Sequence, residues 1–456
     1  RALTVRGRTP MTQDTNGDQQ DGRTRRDVLK QTGAVGTAVA SSGCIGILGG
    51  GSGGVPTGTG NNSTQGKGVK FPAALSAKQY ASAFENVVNM VEAGADPEGN
   101  EDVVPVIEQE LQSNTLLYFP EGRYKMNSQV ARRGETNLGL IGNGAVLTHG
   151  EVNDIKGFTV TEGEFEGKAQ HFKIGSGDNP HNGKFVFGGF TMDWRGENTG
   201  MQILNHHTTG VSEIANVRQL GVHDLGCQGP FRTNPATKDA KIQVRNVDIR
   251  YGGLTYQKTI NERNADPAGR GFGRSWATSG ITMHPRTKGY LRVQNMYVGG
   301  WPDNGIYLVG GSKTRSGTVE VVNSVAANSH ASNIRIGGQN SKIINCTVVT
   351  DEKFSKHYFE QRPIRLDNGS CSIKNTQIIQ KKPTGWSITV QHAVEKAVLN
   401  NVSIAIYNTP MTALVIDPAA DSVVVKNVDI KTPGWPGSRP MLIQGSGDVM
   451  KNILIS

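Results

Sequence analysis

The chain of 456 residues reads as all-β. Its expected form is a single-stranded parallel β-helix, a solenoid of about eleven or twelve rungs, with a capping helix on its N-terminal side. Two repeat series carry that expectation. The first is apolar-x-apolar-x-Asn, in "IQVRNVDI" (Asn246), "LRVQNMYV" (Asn295), "VEVVNSVA" (Asn323) and "SKIINCTVV" (Asn345). It continues in "CSIKNTQII" (Asn375), "VLNNVSI" (Asn401), "VVVKNVDI" (Asn427) and "VMKNILI" (Asn452). Its spacings are 49, 28, 22, 30, 26, 26 and 25, the first equal to two units. The second series places Ile281, Ile306, Ile334, Ile364, Ile388, Leu414 and Leu442 at spacings of 25, 28, 30, 24, 26 and 28. Composition agrees: Gly fills 59 positions, above the usual share of about 7%, as a turn-dense β protein requires.

The apolar period within each unit is two rather than 3.6, so the units are strands and the repeat is not helical. One unit is too small to bury its own apolar face. Units therefore stack, each strand pairing in parallel with the equivalent strand above and below. The recurrent Asn suits a turn that tolerates left-handed backbone, and its side-chain amide can ladder from rung to rung. From Ile141 to Ser456 there are 316 residues for the rungs. A β-sandwich or propeller is the competing architecture, and the lack of hairpin signals between units weighs against both.

Residues 1–43 read as a leader. "TRRDVLKQTGAVGTAVASSGC" sets Arg25 and Arg26 before a short apolar run and a small-residue site ending at Cys44, the order of an export signal. The run is shorter than the roughly twenty apolar residues a spanning helix needs. Its form resembles a twin-arginine signal, and Cys44 sits as in a lipobox, with Ser41 where such boxes usually carry Leu. Residues 44–70 are a Gly/Ser/Thr/Asn tether, with Asn62 in a glycosylation sequon. The expectation is an exported protein held at the outer membrane face by a lipid on Cys44, or secreted. One lipid anchors only marginally, so a second contact with wall or glycan is expected.

The net charge of +9 is mild outside this region: residues 1–70 hold nine Lys/Arg and four Asp. No basic run interleaved with aromatics is present, which argues against nucleic acid as partner. Three cysteines after Cys44 (Cys227, Cys346 and Cys371) allow one bridge at most, and no spacing suggests zinc.

Residues 71–140 form a cap region ahead of the solenoid at 141–456. Asp102 to Leu111 is expected as a short amphipathic helix with Val103, Val104, Ile107 and Leu111 on one side, followed by the strand "TLLYFP". A solenoid end exposes apolar rungs and needs such a cover. The run "AGADPEGNEDVVPVIEQEL…LLYFPEGRYKM", with "LGLIGNGAVL" after it, resembles the N-terminal signature of the pectate-lyase-like superfamily. Ala95-Asp96-Pro97-Glu98-Gly99 stands where a tighter Asp-Gly turn is common. The resemblance runs from about Val88 onward and implies a right-handed coil. With the signal and tether, the chain is similar to exported, lipobox-bearing β-helix proteins of halophilic archaea, though with a basic balance.

That resemblance implies a polysaccharide or surface glycan as partner, since such proteins are mostly lyases, hydrolases, epimerases and tailspikes, with some adhesins. The polygalacturonase-type carboxylate set is not intact here, and no carboxylate pair at rung spacing suggests hydrolysis. Calcium, used by some members, would need clustered carboxylates, and no metal site is assembled from the sequence. A lyase instead needs a cation beside the uronate carboxylate and a base. The middle residues of the second series point outward: Thr282, Tyr307, Arg335, Arg365 and Thr389, with Arg232 of "GPFRTNP" in the same column. Stacked rungs set such positions about 4.8 Å apart, and a guanidinium fork suits a carboxylate.

The expected function is therefore lyase-type β-elimination on an acidic polysaccharide, and the alternative is a non-catalytic glycan-binding or structural β-helix. Arg335 and Arg365 are the candidate clamp, with Tyr307, His284 and His330 as base or acid. Arg232, Asp303, Asp367, Gln391 and Trp301 are the candidate substrate contacts. Residues 253–277 form a long excursion that would wall the cleft. Each residue also has a plainer role. The two arginines pair with Asp367, His284 and Asp303 shape turns, His206 and His207 pack, and the tryptophans fill the core.

Overall fold

The computed structural model describes residues 74–150, 158–161, 164–167, 169–262, 278–309, 317–352, 361–382, 384–433, 441–443 and 449–456. The leader, the tether, Cys44 and residues 263–277 of the excursion lie outside them. The chain is a right-handed parallel β-helix. A first ladder begins at Val130–Arg132, Gln170–Ile174, Gln202–Thr208 and Phe231–Pro235. It runs on through Ile281–Met283 and Asn304–Leu308. Residues 332–336, 362–366 and 388–390 follow, then Leu414–Ile416 and Met441–Ile443. Every step in it is parallel.

Second and third ladders are the two halves of the Asn-centred repeat. Residues 241–245 pair with 290–294, and 247–249 with 296–298, with Asn246 and Asn295 between the halves. The Asn residues occupy the left-handed region, with φ from 49° at Asn323 to 58° at Asn401. Asn tolerates this conformation because its short amide bonds locally. The amides also ladder: Asn295 Nδ2 donates to Asn246 at 3.1 Å, Asn345 to Asn323 at 3.2 Å, and Asn401 to Asn375 at 2.9 Å. Asn216 extends this corner toward the N-terminus and Gly189, with φ of 75°, takes its place one coil earlier, whereas Asn114 and Asn137 share the conformation at the opposite end of the second ladder. Gly221, at the end of a third-ladder strand, has φ of 87°, and a Cβ there would lie 2.1 Å from the Trp194 carbonyl oxygen.

Alternation sets the core. Ile306 and Leu308, Ile334 and Ile336, and Ile364 and Leu366 are fully buried, while Tyr307, Arg335 and Arg365 between them face outward. Each fully buried side chain of this kind is worth about 1.5–3 kcal/mol. The helix Val104–Glu110 closes the N-terminal end. Asp102 Oδ1 accepts from the backbone N–H of Val104 at 3.1 Å and of Asn127 at 2.9 Å. Val103, Val104, Ile107 and Leu111 are all buried in the main core. The Asp96 turn before it is held by its own carboxylate, which accepts from the N–H groups of Glu98, Asn100 and Glu101. Cys227, Cys346 and Cys371 are free and buried, so no bridge joins them.

Candidate functional site

The outward column of the first ladder is continuous in register. Lys173 lies beside Asn205, Asn205 beside Arg232, Arg232 beside Thr282, and Thr282 beside Tyr307. Tyr307 then neighbours Arg335, Arg335 neighbours Arg365, and Arg365 neighbours Thr389, which is fully buried rather than outward as its place in the series had suggested. The polar side chains gather in two groups along it.

The downstream group centres on Asp367. Its Oδ2 accepts from Nε and Nη2 of Arg335 at 3.1 and 2.6 Å, and its Oδ1 from Nε of Arg365 at 2.5 Å. Two guanidiniums are thus committed to one carboxylate. Arg335 also stacks over the Tyr307 ring, 4.4 Å from its centroid, a cation–π contact that holds the fork flat. Asp303 lies behind, 4% exposed, its Oδ2 accepting from the Ser279 hydroxyl at 2.9 Å. Burial pushes its carboxyl up to about 7, against the Ser279 hydrogen bond and the charges of Arg335 and Arg365. Gln391 is half-buried two residues beyond Thr389.

The upstream group surrounds Arg232. Its Nη1 donates to the Gln228 Oε1 at 3.2 Å, a neutral partner. No carboxylate pairs with it among the described residues, and burial lowers its pKa. His284 is beside it. Burial, then the charges of Arg232 and Arg286, lower the imidazole pKa, so the ring is neutral. The Arg286 N–H donates to His284 Nδ1 at 3.2 Å, which leaves the ring proton on Nε2. The His207 ring lies 5.1 Å from that of His284. It is fixed from both sides: Asn234 Nδ2 donates to Nδ1 at 3.0 Å, and Nε2 is 3.0 Å from Asn205 Oδ1. Thr287 donates in turn to Asn234 Oδ1 at 3.1 Å.

Two sequence candidates sit elsewhere. Trp301 is fully buried, donating from Nε1 to the Ile249 carbonyl at 3.1 Å, so its ring has no face to offer a sugar. His330 is 1% exposed and precedes the strand that carries Arg335, its backbone N–H donating to the Trp301 carbonyl. Conversely, Lys173 and Asn205 belong to the column and His207 lies two residues beyond it, in register with Asn234, and none of the three was singled out by the second repeat series. A recess of about 500 Å³ opens away from the column, between Arg123, Thr148, His149, Asp193, Arg195 and Thr199. There burial raises the Asp193 carboxyl, but hydrogen bonds from Arg195 and Arg123 outweigh it and bring it to about 2. Among the described residues, no group of three or more His, Cys, Asp or Glu side chains is placed to hold a metal ion.

No protein-family model matches the chain, and no curated protein sequence does. Among solved structures, the chain is similar to the Agl-KA catalytic domain, at 14% identity and a TM-score of 0.51 over 84% of this chain and 68% of that one. It is also similar to an endo-xylogalacturonan hydrolase from Aspergillus tubingensis, at 10% identity and a TM-score of 0.42 over 81% and 92% of the two chains. A third is PfbA, a surface adhesin of Streptococcus pneumoniae, at 13% identity and a TM-score of 0.41 over 80% and 91%. The first of these likenesses, the one with a TM-score above 0.5, is a likeness of fold alone.

Proposed function

We propose that the outward face of the first ladder binds an acidic polysaccharide, with Arg232 as the carboxylate clamp. One observation carries this reading: Arg232 is a half-buried guanidinium whose side-chain partner is a neutral amide. A guanidinium in that state gains most from an incoming carboxylate, which it can grip with two parallel N–H bonds. The Nε2–H of His284 and the Asn205 amide stand beside it, with Lys173 next along the column and the Arg286–Asp178 ion pair, 2.9 Å apart, acting on the His284 ring. Among the described residues no carboxylate pairs with Arg232 itself.

Elimination would require a base with an open lone pair beside the clamp. In the upstream group His284 Nδ1 already accepts from the Arg286 backbone, and both nitrogens of His207 are engaged. Arg335 and Arg365 are held by Asp367. Binding without elimination is therefore the reading that the geometry favours over a lyase. The three neighbouring structures lend no residue to this choice, although two carry enzyme descriptions and one an adhesin description.

The test is titration of the full chain with uronate polymers, alongside the ultraviolet absorbance of any unsaturated product. Saturable, salt-sensitive binding that Arg232→Ala abolishes, without product, is the expected result. Product accumulation would restore the lyase, and binding untouched by Arg232→Ala would move the site away from this column.

A further inference from the structure

We propose that the sugar held at Arg232 is an equatorially linked uronate lying flat on the aromatic face of Tyr307, so that its polymer crosses the column instead of following it. The inference rests on the reading of Arg232 as a carboxylate clamp and deepens it by naming the linkage. Its basis is a slot between the two side chains. In the outward column Arg232 neighbours Thr282, and Thr282 neighbours Tyr307. The two walls therefore stand two rungs, about 10 Å, apart. The residue between them is small, and its hydroxyl is turned down to the sheet, donating to the Phe231 carbonyl at 3.3 Å. A single sugar ring fits between such walls, with about 3.5–4.0 Å to each.

The Tyr307 ring stands across the solenoid axis. The Arg335 guanidinium covers one of its faces, 4.4 Å from the centroid. That guanidinium is drawn downstream, because Asp367 on the following coil accepts from its Nε and Nη2 at 3.1 and 2.6 Å. The covered face therefore looks toward Arg365, and the opposite face looks back over Thr282 to Arg232. Among the described residues, no second ring or guanidinium is stacked on Tyr307.

A pyranose offers an aromatic ring its C–H face, and that face must be clear of axial glycosidic bonds. In a β-1,4-linked glucuronate both glycosidic bonds and the carboxylate leave equatorially, near the ring plane. Stacked on Tyr307, such a sugar sends its neighbours sideways out of the slot, across the column. Its carboxylate comes to the slot's edge, within reach of the two parallel N–H bonds of the Arg232 fork. An α-1,4-linked galacturonate has both glycosidic bonds axial, so its neighbours would run into the Tyr307 and Arg232 walls. Both polymers carry one carboxylate per sugar, and charge does not tell them apart.

The experiment titrates the full chain calorimetrically with β-1,4-glucuronate and α-1,4-galacturonate oligomers of three and six sugars. The glucuronate trimer should bind about tenfold tighter than the galacturonate trimer. The glucuronate hexamer should gain only about fourfold over its trimer, for the four trimer registers it contains, whereas a chain following the column would add a contact at every rung. Tyr307→Ala should weaken the glucuronate trimer about fivefold, and Tyr307→Phe, which keeps the ring, by less than about twofold. Thr282→Gln fills the slot while sparing both walls and should abolish glucuronate binding. Melting curves report whether each variant is folded.

A galacturonate trimer that binds as tightly as the glucuronate trimer would overturn the inference and leave the Arg232 clamp in place. So would a gain beyond about tenfold from trimer to hexamer, or a folded Tyr307→Ala or Thr282→Gln protein that binds like the wild type. If no oligomer binds, or Arg232→Ala changes nothing, the clamp itself fails and takes this inference with it.

Discussion

The side-chain amide of Asn295 donates to that of Asn246 at 3.1 Å across forty-nine residues of sequence. Both hold left-handed backbone, at φ of 54° and 53°. Each such Asn does two things at once: it permits the turn, and it ties one rung to the next. Asn295→Ala loses both and should destabilise by about 2–3 kcal/mol, the sum of an αL penalty and a buried hydrogen bond. Asn295→Gly restores the backbone freedom and should recover about half of that. Urea denaturation of the two variants separates the effects, and equal losses would show that the amide ladder alone matters.

Stability should rise with pH between about 4.5 and 6.5. Imidazoles ordinarily titrate at 6.5, but burial holds His171 and His207 near 3 and His223 near 4, and His206 well below its usual value. In that window the unfolded chain binds the protons that the fold refuses, so acid favours unfolding. Asp303 acts in the opposite sense, because its carboxyl is raised from 3.8 to about 7 and the folded state keeps that proton. These four imidazoles, joined in the same direction by His181 and His284, outnumber the one carboxyl and leave a net rise, with each unbalanced proton worth about 1.4 kcal/mol per pH unit. Urea midpoints across the window test this. Asp303→Asn should steepen the profile, and a flat wild-type profile would contradict the burial of these rings.

Arg232→Ala should weaken acidic polysaccharide binding by about tenfold or more, the worth of a charge-assisted bidentate contact. Arg232→Lys should recover only part, since an ammonium cannot fork. Arg335→Ala should do less to affinity, because that guanidinium already serves Asp367. Affinities from one titration series settle the order, and a larger loss at Arg335 than at Arg232 would reverse the assignment of the clamp.

Trp301→Ala should cost about 3–5 kcal/mol, as for other large core truncations. The indole is fully buried, and His223 packs edge-on against it with ring centroids 5.5 Å apart. Trp301→Phe keeps the bulk but orphans the Ile249 carbonyl, so an intermediate loss is expected. Polymer affinity of the folded Trp301→Phe protein should match the wild type. A selective loss of affinity would return Trp301 to the binding surface.

The column from Ile281 onward was legible because inward Ile and Leu flank each outward residue at a steady interval. Upstream the same ladder is harder to see, and one buried pair explains much of it. His206 occupies an inward position of the first ladder, and Ser212 an inward position of the second. His206 Nε2 lies 2.7 Å from Ser212 Oγ in the core. That single hydrogen bond lets polar residues replace apolar ones in both series at once, so Asn205, His207 and Asn216 fell outside the pattern. The salt-bridge partner of Arg335 was legible from its place two residues after Arg365. The neutral partner of Arg232 was not, since Gln228 reaches it from the preceding turn. The sequence leaves Trp301 open between a substrate contact and a core filler, and the Ile249 carbonyl across the rung shows why it turns inward.

The corners of the solenoid differ in how much chain they hold. From Asn216 onward one Asn makes the whole bend between the second and third ladders, rung after rung. Between the third and first, the chain runs from Gly299 to Asn304 in one coil and from Ile249 to Ile281 in another. The strands on either side keep their pairing in both cases. One corner therefore sets the phase of the coil and the other stores spare length. Inserting a residue beside Asn295 would turn every side chain of the following strand to the wrong face. The ladders stay in step across the long stretch from Ile249 to Ile281, which makes that stretch, and not the buried corner that holds Trp301, the natural place to graft a new recognition loop.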